Sequence, residues 1–248
     1  MNKKISIFLI IFSFITISAQ DKNSELLTVA VFVVGDVTAN RSDKILKVTK
    51  NFLFLTGDEI VTKKGTADIQ FGPGTIIRVA NNTKMKIARI LEANQKQNVN
   101  LGLTKGKIFS KVSTKMAPGS SFEVTSPTMI AAVRGTEFLI SEEMDESSEA
   151  TTTPEIPEGV FVKEGEVAIQ VTKVISENDK VKEFTAKAGE EVVVTTNGIK
   201  KQILEDHIKE KMKILDTLKV MQESNYKMMK EMKQKNQELM DNRPGKIK

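Results

Sequence analysis

The chain has 248 residues, 40% hydrophobic and 28% charged, enough apolar material for the core of one or two globular domains. It has no Cys, no Trp, one Tyr (Tyr226) and one His (His207). That excludes disulfides, thiolate metal sites, cysteine nucleophiles and His-rich metal clusters, and leaves His207 as the only base a Ser-His-Asp triad could use. The net charge of +5 sits at the ends, +2 in residues 1–19 and +5 in 200–248, against −2 over 20–199, so the body lacks the basic stripe of a nucleic-acid-binding surface.

In chain order, a basic head (Lys3, Lys4) precedes a largely apolar run of 13 residues at 5–17, then Ser18-Ala19 and a polar stretch from Gln20. This layout predicts a signal peptide over residues 1–19, cut after Ala19, with export to the periplasm or outer cell envelope. Spanning a bilayer takes ~20 apolar residues, so an uncleaved anchor is the lesser alternative. The four residues ahead of the run leave no room for a cytosolic domain, and no Cys follows that could carry a lipid.

From residue 26 to 198 the apolar period is two. Short β-rich runs are expected at 29–34, 66–71, 75–79, 84–87, 107–112, 121–125, 137–140, 160–162, 166–171, 182–185 and 191–194. A recurrent turn grammar separates many of them: Gly35, Gly57, Gly106, Gly165 and Gly189 each precede a charged residue and a β-branched run. The expected fold is mainly β, an antiparallel two-layer sandwich or roll of many short strands. Residues 142–158 hold seven acids, no base, and Pro154 and Pro157, which predicts a mobile acidic loop at the tip of a hairpin. The loop has no EF-hand spacing.

After Gly198 the period changes. Residues 200–242 contain no Pro or Gly and are rich in Lys, Glu, Met, Leu and Gln, predicting one long basic amphipathic helix at 199–242, followed by a tail at 243–248. Leu204, Ile208, Leu215, Leu218, Met229, Met232 and Leu239 fall on a and d positions of a heptad, interrupted by Lys211, Gln222, Asn225 and Asn236, the pattern of a partial coiled coil. The boundary at Gly198 makes the helix dispensable for folding on this reading, and free for association.

Seven segments in order then resemble the FecR-type domain family, an extracytoplasmic domain of ferric-citrate-type signalling. Leu55-Thr56-Gly57-Asp58-Glu59-Ile60-Val61-Thr62 is similar to the family's opening, and Gly65 to Phe71 to its small-residue strand. Gly74 to Val79 with Asn82 to Ile87, and Leu103 with Gly106-Lys107-Ile108, follow. Phe122-Glu123-Val124-Thr125-Ser126-Pro127 leads to Ala132-Val133-Arg134-Gly135-Thr136-Glu137-Phe138, similar to the family's best marker. The turns at Gly165 and Gly189 close the set. The resemblance covers residues 55–194. It departs at Gly72-Pro73-Gly74, in the longer acidic loop, and in the missing cytosolic anti-sigma segment that signalling members carry.

The residues the resemblance singles out are Gly57, Asp58, Gly106, Pro127, Arg134, Gly135, Thr136, Phe138, Gly165 and Gly189, and each has a structural reading. Gly135 serves a bulge or close strand approach, Arg134 pairs with an internal carboxylate such as Asp58 or Glu137, and Thr136 satisfies backbone. A ligand-clamping role for Arg134 is the alternative. Asp58 and Glu59 are adjacent on a strand and point to opposite faces, so they form no acid–base pair. His207, on a Lys/Glu-rich helix, reads as solvated. No catalytic, cofactor or metal residue is expected.

Together these features lead to the expectation of an exported, non-enzymatic FecR-like binding or scaffolding module of the cell envelope, with its C-terminal helix for oligomerisation or docking. The expected partner is an envelope protein or a second copy through helix 199–242, with an anionic membrane surface also possible and nucleic acid excluded. The rival from another class is a sensor or regulator of iron-type cell-surface signalling through a membrane-spanning partner. An Asp/Glu-dependent hydrolase ranks last, because the sequence offers no convergent acid pair and no aromatic subsites.

Overall fold

The computed structural model describes residues 24–113, 117–142, 156–172, 182–195 and 198–241. The expected signal peptide, most of the acidic loop and the C-terminal tail lie outside them. The strands are β1 (Ser24–Glu25), β2 (Thr28–Val34), β3 (Val37–Arg41), β4 (Lys44–Lys47), β5 (Glu59–Thr62), β6 (Thr66–Phe71), β7 (Thr75–Val79), β8 (Thr83–Ala93), β9 (Lys96–Val112), β10 (Ser121–Thr125), β11 (Met129–Val133), β12 (Glu137–Glu142), β13 (Gly159–Glu164), β14 (Glu166–Val171), β15 (Lys182–Lys187), β16 (Glu190–Thr195) and β17 (Gly198–Ile203). Two helices follow, α1 (Asp206–Met212) and α2 (Ile214–Asp241).

The strands form two sheets that share β9. Sheet A runs β4-β3-β5-β8-β9-β10-β11-β14-β15, with β1 on the far end of β8. Sheet B runs β2-β6-β7-β9-β12-β13-β16-β17. All described pairs are antiparallel except β9 with β10. β9 serves sheet A from Lys96 to Lys105 and sheet B from Gly106 onward. At the crossing Gly106 has φ +94, and a Cβ there would stand 2.6 Å from the Cα of Thr83. Only glycine lets the two backbones come this close.

The inner faces of both sheets make the main core. Phe71, Ile77, Ile108, Phe138, Val160 and Val192 from sheet B meet Ile60, Met85, Leu101, Phe122, Val124 and Ile169 from sheet A. Phe122 and Phe138 meet edge to face across the layers, 6.2 Å between ring centres. The expected mainly β sandwich is therefore the fold, and β12 and β13 pair as the hairpin flanking the acidic loop, Ser141 opposite Gly159.

The C-terminal segment differs from its sequence reading in two ways. Residues 198–203 are a strand, not the start of the helix. Lys200, Lys201 and Gln202 favour helix locally, but the ladder to β16 and the Lys201–Glu190 ion pair (2.8 Å) hold them extended. The helix begins at Asp206, whose charge suits the helix N-terminus, and turns at Lys213 between α1 and α2. Second, the helix is not set apart from the β-domain. The outer face of sheet B is itself apolar: Val31, Ile76, Phe109, Leu139, Phe161 and Val193 point away from the main core. Leu204, Ile208, Met212, Leu215 and Leu218 cover them in a second core. Their heptad spacing reflects one apolar stripe, and the stripe's partner here is a sheet.

This layering fixes an expected outcome. Leu215→Ala empties a fully buried position between α2 and sheet B and should lower unfolding free energy by ~2–5 kcal/mol. Val220→Ala, at an exposed position on the same helix, should stay within ~0.5 kcal/mol of the parent. Urea unfolding of both variants checks this. A Leu215→Ala midpoint equal to the parent would show that the helix does not belong to the folded unit.

Candidate functional site

Asp58, fully buried, is the first family-motif residue with a clear partner, and the partner is Arg41. The guanidinium meets the carboxylate through two bonds, Nε to Oδ1 and Nη2 to Oδ2, both 2.7 Å. Asp58 also accepts from the Leu55 backbone N–H (3.0 Å), and Arg41 donates to the Leu53 carbonyl (2.7 Å) while lying over the Phe52 ring at 5.4 Å. Hydrogen bonding to Asp58 raises the Arg41 pKa further above its ordinary value, against the opposing effect of burial. The cluster ties the crossing segment 51–58 to the end of β3.

Arg134 does not make the pairing expected of it. It is exposed, while Asp58 is taken by Arg41 and Glu137 by lysines. Glu137 is fully buried on the outer face of sheet B. The Lys111 Nζ lies 2.7 Å away, Lys163 3.4 Å and Lys219 of α2 3.8 Å. Burial works against the charge on Lys163, but Asp216 and Glu137 overcome it, and its pKa ends above the usual lysine value. This network pins α2 to the sheet through charge, beside the apolar contact. Asp68 is held by Arg78 in a second two-bond pair (2.6 and 2.7 Å), with Arg78 over Phe32 at 5.7 Å. Glu191 accepts from the Gln202 side chain (2.6 Å) and the Glu205 N–H (3.3 Å), setting the turn from β17 into α1.

The rest of the motif is also spread through the framework. Gly135 has φ +72, and the carbonyl of Gly135 would lie 2.7 Å from a Cβ on Gly165. The Thr136 hydroxyl donates to the Glu166 carbonyl (2.9 Å), Phe138 is in the core, and the Pro127 carbonyl accepts from Thr172 (3.2 Å). Gly57 (φ +96) and Gly189 (φ +79) turn the chain where a Cβ would meet nothing, so conformation rather than space selects glycine there. The motif residues do not converge on one cleft. Glu59 pairs with Lys84 (3.1 Å) and His207 with Glu205 (3.1 Å). Among the described residues no three His, Asp or Glu gather as a metal site, and no described helix is long and apolar enough to cross a membrane.

What sequence reasoning missed is a groove of about 540 Å³ on the outer face of sheet A. Its floor is low because Ala132 on β11 stands opposite Ala168 on β14, both exposed. Glu123 on β10 and Thr185 on β15 flank that pair in register, and Ile130, Gln170 and Glu183 form the adjoining row. The sequence signal on β14 is Ala168 between Glu166 and Gln170 at alternate positions. Asn100 donates to Glu123, and Glu183 lies exposed at the far wall. The groove offers two carboxylates and an amide around a small apolar floor.

Two outcomes follow. Gly135→Val forces a β-branched residue to positive φ and should cost ~1–3 kcal/mol, read as a lower melting temperature. Asp58→Asn should cost ~3 kcal/mol, the low end for breaking a buried pair, because Arg41 is a third exposed and rehydrates. An unchanged melting curve for either would remove the structural role given to that residue.

The family model described as FecR protein matches residues 58–168, which span β5 to the middle of β14. Two crystal structures of a proposed anti-sigma factor from Parabacteroides distasonis are similar. One is at TM-score 0.44 and the other at 0.43, each with 18% identity over 59% of this chain. The chain spans 60% of their length. No curated protein matches. The matched stretch, residues 58–168, lies within the segment whose motifs resemble the FecR-type family.

Proposed function

We propose that this is an exported, non-enzymatic FecR-domain protein of the cell envelope that works by holding a partner against the outer face of sheet A. The observation that carries the reading is the unequal treatment of the two outer faces. Sheet B spends α1 and α2 on covering its outer face. Sheet A leaves its own open, with the Ala132–Ala168 floor and the Glu123 and Glu183 walls. The buried carboxylates of Asp58, Asp68, Glu137 and Glu191 are each held by donors within the fold, so none is left to act on a substrate. The docking role expected of the C-terminal helix is confined to its far end. Met229 is buried, Glu231 and Gln234 are exposed, and the backbone continues helical to Asp241.

A second reading, regulation of cell-surface signalling through a membrane-spanning partner, is favoured by the FecR match itself. The two readings share a binding step and differ in what is bound. A photo-reactive residue at Ala132, with a control at exposed Ile45 on β4, should cross-link an envelope component only from Ala132. Equal yields from both positions would overturn the groove as the binding face. A membrane-spanning adduct, with transcription altered in a deletion strain, would select the regulatory reading. The mature protein in the same preparation should begin at or near Gln20 by mass spectrometry, and an intact Met1 would overturn export with cleavage.

A further inference from the structure

We infer that two copies of the chain pair through the free edge of β2, continuing sheet B across a two-fold axis. The inference rests on how the terminal strands of the two sheets, β4, β15, β17 and β2, are finished among the described residues, apart from the two-residue β1. Free edges invite pairing with other chains, and lysines along them discourage it. Three of the edges carry lysines: Lys44 and Lys47 on β4, Lys182 and Lys187 on β15, Lys200 and Lys201 on β17. The fourth, β2, reads TVAVFVV and has no charged or strongly polar residue.

Half of that edge is already used. Ala30 donates to the Phe52 carbonyl and accepts from Asn51, and Phe54 donates to Thr28, so segment 51–54 covers residues 28–30. Beyond them β2 is hydrogen-bonded to β6 on one side only, among the described residues. A bulge separates the two halves. It places Val31 and Phe32 both on the outer face, Val31 under the helix layer and Phe32 41% exposed. Val33 then packs inward and Val34 is 54% exposed. The helix leaves the sheet beside Gly72 and Pro73, at the Thr28 end of β2, so it does not block this half.

The occupant follows from self-complementarity. A second β2 brings no charge against the first, whereas the lysine edges would. With the two-fold axis perpendicular to the sheet, residues of the same face stand opposite each other. Keeping the pairing beyond the bulge leaves one register: Val33 opposite Val33 of the second copy, and Phe32 opposite its Val34. Each Phe32 then covers an exposed Val34, under the Arg78 guanidinium that already lies over the Phe32 ring.

The test uses the full chain in analytical ultracentrifugation up to about 100 µM. The parent should show a monomer–dimer equilibrium. Val34→Lys places an ammonium against Phe32 and near Arg78 of the second copy, and should weaken dimerisation at least ~10-fold while leaving the circular dichroism spectrum unchanged. Val220→Lys, on exposed helix surface, should leave the dimer intact. Val33→Cys, the only cysteine in the chain, should give a disulfide-linked dimer on mild oxidation, and this result decides if Val34→Lys does not fold. A monomeric parent, an undiminished dimer in Val34→Lys, loss of the dimer in Val220→Lys, or Val33→Cys without cross-linking would each overturn the proposal.

Discussion

One strand holds both layers together. β9 belongs to sheet A for its first ten residues and to sheet B for the rest, so neither sheet can shift without straining the backbone near Gly106. The constraint is local and steric. The Thr83 backbone occupies the space where any side chain at 106 would begin, and the Thr83 hydroxyl is engaged by the Lys107 N–H at 3.0 Å. Phe122, Phe138, Glu137 and Lys111 lie on β9 or on its direct partners β10 and β12, and the Gly135–Gly165 approach joins the turn that leads into β12 to the turn between β13 and β14. Their geometry is inherited from that crossing.

Much of this was legible in the sequence, and the limits were physical. Alternation and glycine turns marked most strands, because one-faced burial leaves a period of two. The strand at 129–133 was missed because Ala131 and Ala132 contribute little β signal, and 198–203 because its residues favour helix and only the ladder to β16 overrides them. The helix layer had a signal that alternation obscures. Runs such as Phe138-Leu139-Ile140, Val160-Phe161-Val162 and Val192-Val193-Val194 are apolar at every position, the mark of strands covered on both faces. Six outward apolar residues on sheet B and a heptad stripe with nothing else to cover it are two halves of one surface.

Charge pairing was the least legible part. Asp58 and Glu137 were recognised as internal carboxylates, but the cation assigned to them was Arg134, adjacent to the motif. The actual partners come from elsewhere in the chain: Arg41 from a hairpin 17 residues upstream, Lys111 from β9 across the ladder, Lys219 from the helix. Proximity in sequence says nothing about which long side chain reaches a buried carboxylate, because the fold decides the distance. The cost of an unpaired buried charge explains why each such carboxylate has a partner, without naming it in advance. The groove on sheet A eluded sequence reading for the same reason, since Ala132 and Ala168 become a floor only when β11 and β14 are neighbours.

The two surfaces assigned to binding lie on different sheets, and this separation has a consequence for avidity. Pairing through β2 extends sheet B and leaves the outer face of sheet A untouched. A two-fold axis perpendicular to the sheet preserves which side each layer occupies, so the two Ala132–Ala168 grooves face the same way. A partner that is repetitive or held in a membrane plane would then meet two grooves at once, and the second contact would form at the effective concentration set by the first. Weak individual contacts with small floors and exposed carboxylates are sufficient under that arrangement. Binding by repetition in this way needs no deep pocket, because the second contact forms at the effective concentration that the first one sets.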